Sequence, residues 1–329
     1  MKFDSSFKIL NSINIGWNLG NYLDAHNKLY KFKDSTPKSV EYITNLWHNP
    51  IFNLKCIDTL KNQGFNCIRI PVTFCNFLSA DKNISISSEL FKHLKTIIDY
   101  AIKKDFYVIL DMHHDDQTWL DIAANKKEFK EICNQYFCIW QIVAKEFKDY
   151  NHHLIFEGMN EVIDRSNPEK HDWIGQNKSL YKNLNYLYKI FVKAVRCFSS
   201  NNLERTLIIS TYGAQIHKHA FTHFKLPRDK NLIVDVHYYS KKSGIEHFEQ
   251  QFKYVKKYLI NKNIPLIIGE CGIKKDYMFN FSILSTYLDF AKQNNIKCIL
   301  WDNGSSRQVV NRETGSFTYT ELKNYLNSK

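Results

Sequence analysis

Three observations predict an α/β fold, a (β/α)8 TIM barrel built as a single domain. Eight short apolar runs alternate with longer helix-period stretches across the 329 residues, which fits a closed barrel better than an open sheet. Polar residues collect at the C-terminal ends of those runs, at Asn18, Arg69, His113, Glu161, His237, Glu270 and Asp302, the end where barrels build their active sites. The first run leads into GWNLGN, which lacks the GxGxxG spacing that a doubly wound nucleotide-binding sheet needs.

The expected strands, in order, are INIGWNL at 13–19, NCIRIPV at 66–72, FYVILDM at 106–112 and HLIFEGM at 153–159. TLIIST at 206–211, LIVDVHY at 232–238, PLIIGE at 265–270 and KCILWD at 297–302 complete the set. Each is a short apolar run of strand length, and helix periodicity takes over between them at 88–104, 126–149, 178–199, 245–262 and 279–294. Gln63 and Gly64 read as a helix end with a glycine cap before the second strand. No Pro/Gly/Ser-rich linker, repeat or charge block divides the chain, so residues 1–329 are expected to form one catalytic domain without an appended carbohydrate-binding module.

Composition narrows the function. The net charge is +12, but only seven of the 45 basic residues are Arg, and the Lys residues are dispersed among Asn and Ile. Base reading relies on Arg and on dense basic clusters, so a nucleic-acid partner is not expected. No run reaches the roughly 18–20 apolar residues of a membrane span, and the opening MKFDSSFKILNSINIGWNLG has neither the apolar core nor the cleavage site of a signal peptide. The eight cysteines are scattered, with no CxxC pair. Free thiols of this kind lean toward a reducing compartment. A monomer that needs no cofactor is the expectation.

The chemistry is expected at two glutamates. Glu161 closes LIFEGMNE and Glu270 closes PLIIGE, two carboxylates on similar strand ends. A buried carboxylate is costly unless paired or used, and a carboxyl pair is the minimum equipment for cleaving a glycosidic bond. Two unrelated helix-capping glutamates are the plainer alternative. Arg69, set among apolar neighbours in GFNCIRIPV, needs a carboxylate partner, whether in a site or in a structural ion pair. In VHYYS, His237 and Tyr239 share one strand face by period two, and a Tyr hydroxyl beside a nucleophilic carboxylate fixes its orientation.

DMHHDDQTW offers His113, His114, Asp115 and Asp116 as metal ligands. Adjacent strand residues point to opposite faces and no HxH or HExxH arrangement is present, so hydrogen bonding to sugar is favoured over a metal. Trp17, Trp47, Trp119, Trp173 and Trp301 fall at strand ends or in loops. Of these, Trp301 and Trp47 are expected to be sugar platforms, since an indole face stacks on the apolar face of a pyranose.

Together these blocks resemble glycoside hydrolase family 5, in particular its clostridial-type endo-β-1,4-glucanases, the cellulases. GWNLGNYLDA, WHNP, GFNCIRIPVTF, ILDMHH, LIFEGMNE, VDVHYYS, LIIGECG and LWDNG follow one another in the family's order, from about residue 13 to 304. The resemblance implies a retaining hydrolase with Glu161 as acid/base and Glu270 as nucleophile, about 5 Å apart. It implies that Arg69 and Tyr239 keep Glu270 ionised, that Asn160 holds the sugar 2-hydroxyl, and that His113 and His237 line the reacting subsite. Trp301 would stack there, with Asn21 and His114 reaching sugars on the non-reducing side. The implied partner is a polysaccharide or oligosaccharide, either β-1,4-glucan, mixed-linkage glucan or xyloglucan, with β-mannan as the alternative. A carbohydrate-binding pseudoenzyme and a metallohydrolase are the readings from other classes. Three positions depart from the family's pattern: Tyr22 for Thr, Val162 for Pro and Cys271 for Phe. The latter two are expected to alter loop shape or packing beside the site.

Overall fold

The structure, a computed structural model, describes residues 2–27, 36–79, 83–167, 171–198, 200–239, 244–272 and 281–328. Eight parallel strands close a barrel: β1 (Gly16–Leu19), β2 (Cys67–Val72), β3 (Tyr107–Met112), β4 (Leu154–Glu157), β5 (Leu207–Ser210), β6 (Leu232–Tyr239), β7 (Leu266–Gly272) and β8 (Lys297–Asp302). Each pairs with its sequence neighbours, and β1 pairs with β8 to shut the ring. All eight expected strands are present, and the chain is a single (β/α)8 TIM barrel.

The outer ring includes α3 (Lys55–Asn62), α4 (Ser88–Lys103), α5 (Lys126–Glu146), α6 (Leu180–Arg196), α7 (Lys218–His223), α8 (Gly244–Tyr258) and α9 (Phe281–Gln293). α1 (Asp4–Ser12) precedes the barrel, α2 (Val40–Asn45) lies between β1 and α3, and α10 (Thr320–Asn327) closes the chain. The five expected helical segments match α4, α5, α6, α8 and α9. Ser199, the start of the segment at 279–294, and Ser240 of VHYYS lie outside the described residues. Gly64 caps α3 with φ of +82°, a left-handed backbone that glycine adopts without a Cβ penalty.

Several boundaries shift by a residue or more from the sequence expectation, and two of the shifts bear on the site. The first strand starts at Gly16, because Ile13 still closes α1 through its N–H to the carbonyls of Ile9 and Leu10. Ile9, Leu10 and Ile13 then form a core cluster with Ile109, Ile155, Ile208, Ile233, Ile267 and Ile299 from the strands. A layer of isoleucine thus fills one end of the barrel, with the N-terminal helix packed against it. The fourth strand ends at Glu157. Asn160 and Glu161 therefore follow the strand rather than end it, and Asn160 is tied back by its N–H to the Met112 carbonyl at 3.1 Å.

Arginine is used inside the protein. Arg69, Arg205 and Arg312 are among the largest fully buried side chains. Arg205 donates to the carbonyls of Phe147, Tyr150, Asn151 and Leu154, satisfying backbone acceptors where α5 turns into β4. No helix among the described residues is long and apolar enough to cross a membrane.

Candidate active site

Above the isoleucine layer, the barrel interior turns from hydrocarbon to charge. Arg69 on β2 is fully buried, spends its five N–H donors on four side chains and stands in ion-pair contact with a fifth. Nε and Nη2 form a two-pronged bond to Glu157 on β4, each 2.8 Å long. Nη1 donates to Glu270 Oε1 at 2.9 Å and to Asn18 Oδ1 at 3.1 Å. Nη2 also donates to Asn160 Oδ1 at 2.8 Å and stands 2.9 Å from Asp111 Oδ2. The planar guanidinium fork suits this many-sided role. Burial opposes its charge, but Asp111, Glu157 and Glu270 hold it firmly protonated. Glu157, the two-pronged partner, is a residue that sequence reasoning missed.

Glu270 on β7 is held from two sides, by Arg69 on Oε1 and by the Tyr239 hydroxyl on Oε2 at 2.8 Å. Tyr239 sits on β6 two residues after His237, and His237 Nδ1 is 2.7 Å from Glu161 Oε1 and 3.6 Å from Glu270 Oε2. One oxygen of Glu161 and one of Glu270 lie within 4.8 Å of each other. Burial is the largest influence on Glu270 and raises its carboxyl above the ordinary range. His237, Arg69 and the Tyr239 hydroxyl pull it back, while Glu161 pushes it further up. The neighbours therefore act in the expected direction, but desolvation outweighs them. Burial and the nearby Glu270 and Glu161 charges keep the Tyr239 hydroxyl protonated.

His113 and His237 occupy similar stations with pKa values pushed in opposite directions. Each follows an Asp by two residues, Asp111 and Asp235. His113 Nδ1 is 2.6 Å from Asp111 Oδ2, and the Asn160 amide nitrogen lies 3.4 Å from its Nε2. Asn160 gives its oxygen to Arg69, so its NH2 faces His113. That arrangement fits a neutral ring with the proton on Nδ1. Burial, His114 and Arg69 all depress the His113 pKa well below the usual value. For His237 burial also opposes the charge, but Glu270, Asp235 and Glu161 surround it and raise its pKa well above the usual value.

Trp301 ends β8 with its ring nearly parallel to that of His113, at 9° and 5.5 Å between centroids. Trp47 is half-buried against His26 and His114, with ring centroids 5.5 and 6.1 Å away. Asn21, with φ of +56°, sits in a turn held by buried Asp24, which accepts the N–H groups of Asn21 and Tyr22. His113 and His114 are not splayed to opposite faces as the strand argument expected. β3 ends at Met112, so alternation stops, and the two rings pack edge to face 4.2 Å apart.

Several expected positions are structural instead. Asp302 accepts from Trp17 Nε1 and from the N–H groups of Gly304, Val309 and Val310, and pairs with Arg312. It organises the last loop and leaves its oxygens no freedom for a ligand. Asp115 accepts the N–H groups of Phe74 and Cys75 and the indole N–H of Trp119, so Trp119 serves packing. Asp116 pairs with Arg165 at 2.7 Å. Burial nonetheless raises Asp116 to about 7.

An unfolded Asp titrates near about 3.9, so folded Asp116 holds its proton more tightly. Its contribution to stability is whole below about pH 4 and declines as pH climbs through 7. Thermal melts should show this: the stability of the wild type relative to Asp116→Asn falls between pH 4 and 7 and levels off above. A gap independent of pH would contradict the assignment.

Among the described residues, three groups bring ligand-type atoms within 4.8 Å: Asp24 with His113 and His114, Glu157 with Asp235 and His237, and Glu161 with His237 and Glu270. These atoms are already engaged with protein partners. Asp24 serves the backbone N–H groups of Asn21 and Tyr22, Glu157 serves Arg69, and the carboxyls around His237 are paired with it. The departures from the family's pattern also find places. Tyr22 is buried and its hydroxyl meets His93 Nε2 at 3.1 Å. Val162 is buried and its carbonyl accepts the Gly213 N–H at 3.0 Å. Cys271 is fully buried, with its sulfur 3.6 Å from the Ile299 carbonyl.

A barrel whose mouth holds two carboxyls this close, one of them anchored by Arg and Tyr, has the architecture of a glycoside hydrolase. Residues 25–307 match the family profile Cellulase (glycosyl hydrolase family 5), and the chain belongs to that family. It is 31% identical over 348 residues to Endoglucanase A of Clostridium longisporum, covering 98% of this chain but 65% of that protein. It is 31% identical to Endoglucanase B of Neocallimastix patriciarum, covering 99% of this chain and 72% of that one. Among solved structures, a family 5 xyloglucan-specific endo-β-1,4-glucanase from a metagenomic library, in complex with cellotriose, superposes with a TM-score of 0.88 at 32% identity over 100% of both chains. A broad-specificity endoglucanase of Ruminococcus champanellensis with bound cellotriose gives 0.87 at 29% identity, over 98% and 97% of the chains.

Proposed function

We propose that this chain is a retaining, endo-acting β-1,4-glucan hydrolase that works by double displacement, with Glu161 as acid/base and Glu270 as nucleophile. The observation that carries the reading is the approach of the two carboxyls to within 4.8 Å, with Glu270 fixed by Arg69 and Tyr239. Retaining enzymes place their carboxyls about 5–5.5 Å apart, whereas inverting ones leave roughly 6.5–9.5 Å for a water. Glu161 is the more open of the two, at 24% side-chain exposure against 6% for Glu270. That suits one group that must exchange protons with water and another that must attack a sugar carbon.

The remaining roles follow from placement. Asn160 keeps one amide hydrogen for a sugar 2-hydroxyl after facing His113. His113 and His237 line the reacting subsite and Trp301 forms its wall. Asn21, His114 and Trp47 lie on the side of Asp24 and receive the non-reducing sugars. The chain works as a monomer, which light scattering tests. Relatives named for xyloglucan and lichenan hydrolysis support a substrate range of β-1,4-glucan, mixed-linkage glucan and xyloglucan.

Reducing-sugar release from these glucans and from β-mannan decides the substrate class. Release from glucans, lost in Glu161→Gln and Glu270→Gln and unaffected by a chelator, is the expected result. Activity surviving both substitutions would overturn it, as would release from mannan alone.

A further inference from the structure

The strand β7 carries an irregularity immediately before Glu270. Val236 on β6 pairs with Ile268, but His237 pairs with Glu270, so one residue of β7 is left over. The other neighbour shows the same surplus, since Cys298 pairs with Ile268 and Leu300 with Cys271. Gly269 is the extra residue of a bulge. Such bulges re-aim the side chain that follows them.

Side chains hold the bulged peptide on both sides. The Gly269 N–H donates to Asp235 Oδ1 at 2.6 Å, and the Gly269 carbonyl accepts from Asn18 Nδ2 at 2.9 Å. A Cβ on Gly269 would stand 2.5 Å from Asp235 Oδ1, so the carboxylate and the glycine require each other. The second oxygen of Asp235 has a different duty. It lies 2.9 Å from His237 Nε2, the nitrogen opposite the one that meets Glu161. That approach is an ion-pair contact rather than an aligned hydrogen bond, and Nε2 has no hydrogen-bond partner among the described residues.

We propose that Asp235 is a positioning residue for both reacting carboxyls, presenting Glu270 through the Gly269 bulge and Glu161 through His237. The inference rests on the roles given above to Glu161 and Glu270. Asp235 is fully buried and touches no open surface, so it acts through its neighbours and not on the sugar. The groups facing His237 are Glu161 after β4, Glu157 on β4, Glu270 on β7 and Asp235 on its own strand, with Arg69 as the nearby cation and the neutral His113 ring beyond it. Carboxylates at both nitrogens favour a proton on each, so that Nε2–H faces Asp235 and Nδ1–H donates to Glu161.

The two duties can be separated. Asp235→Asn keeps an oxygen for the Gly269 N–H but turns an NH2 toward His237, which spares the bulge and disturbs chiefly the path to Glu161, 2.7 Å from His237 Nδ1 against 3.6 Å for Glu270. Asp235→Ala removes both. The readouts are kcat/KM on a cello-oligosaccharide, whose leaving group needs an acid, and on 2,4-dinitrophenyl β-cellobioside, whose leaving group departs unprotonated. Asp235→Asn should lose on the order of 10- to 100-fold on the first, part of the roughly 10²–10⁴-fold that a positioned acid supplies, and less than about threefold on the second. Asp235→Ala should lose at least about tenfold on both.

Nitrogen NMR of the imidazoles adds a measurement on the wild type that no folding defect can cloud. His237 should carry protons on both ring nitrogens at pH 7, and only on Nδ1 in Asp235→Asn. Equal losses on the two substrates in Asp235→Asn, no loss in either variant, or a neutral His237 in the wild type would overturn the proposal. A wild type inactive on both substrates would instead overturn the reading of the site on which it rests.

Discussion

Replacing Glu270 by alanine should lower hydrolysis of glucan by on the order of 10⁴-fold or more, and replacing Glu161 by about 10²- to 10⁴-fold. The two losses should differ in kind. Without Glu270 there is no group to attack the anomeric carbon, so an activated leaving group does not help. Without Glu161 the attack survives wherever the leaving group needs no proton, so 2,4-dinitrophenyl β-cellobioside should still form the glycosyl-enzyme. External azide then completes each half-reaction by a different face. In Glu161→Ala it displaces the covalently held sugar and yields the β-azide. In Glu270→Ala it enters the space left by the carboxylate and yields the α-azide. Finding the anomers reversed would exchange the two roles, and finding no rescue in either would undermine the double displacement.

The second large effect belongs to Arg69. Arg69→Met removes the cation from a fully buried set of Glu157, Asp111 and Glu270. Removing one partner of a buried ion pair costs about 3–5 kcal/mol. At about 2.1 cal/mol/K per residue, a chain of 329 residues loses roughly 4–7 °C in Tm. Calorimetry checks the figure.

Activity should fall further than stability explains, because Glu270 also loses a charge-assisted hydrogen bond worth about 1.5–3 kcal/mol, or about 10- to 150-fold in rate. Arg69→Lys should not restore it. A single ammonium cannot make the two-pronged bond to Glu157 while reaching Glu270, Asn18 and Asn160. A stable and fully active Arg69→Lys would show that charge alone matters at this position.

The barrel was legible because its strands are short apolar runs between helix-period segments, a pattern set by burial on both faces. His237 and Tyr239 were placed on a common face by the two-residue period of a strand. The same period, extended one step back, reaches Asp235, and Asp111 on β3 with His113 just after it repeats the spacing. That signal was present and went unused, because an Asp inside an apolar run resembles an ordinary strand-end polar residue.

Glu157 was hidden differently. Gly158 and Met159 prolong the apolar look of the run, so the strand was expected to continue to Met159 and its last residue passed as interior. His113 and His114 show the reverse error. The rule of opposite faces was applied one residue past the point where the strand stops. Asp24 lies in a loop after β1, and only the folded chain shows that it faces the two histidines.

The isoleucine layer beneath Arg69 has an electrical consequence. Hydrocarbon closes the lower end of the barrel and helices surround its sides, so water, the medium that damps a field most effectively, meets the buried charges only at the mouth. Lines of force from ionised carboxylates in a low-dielectric shell converge on such an opening. The potential they produce is therefore concentrated where a sugar ring would lie across Glu161 and Glu270. On the proposed mechanism, an anomeric carbon that gains positive charge as its bond breaks would enter a field already oriented to receive it. In this view α1, far from the reacting atoms and in contact with none of them, is part of the dielectric that shapes the reaction.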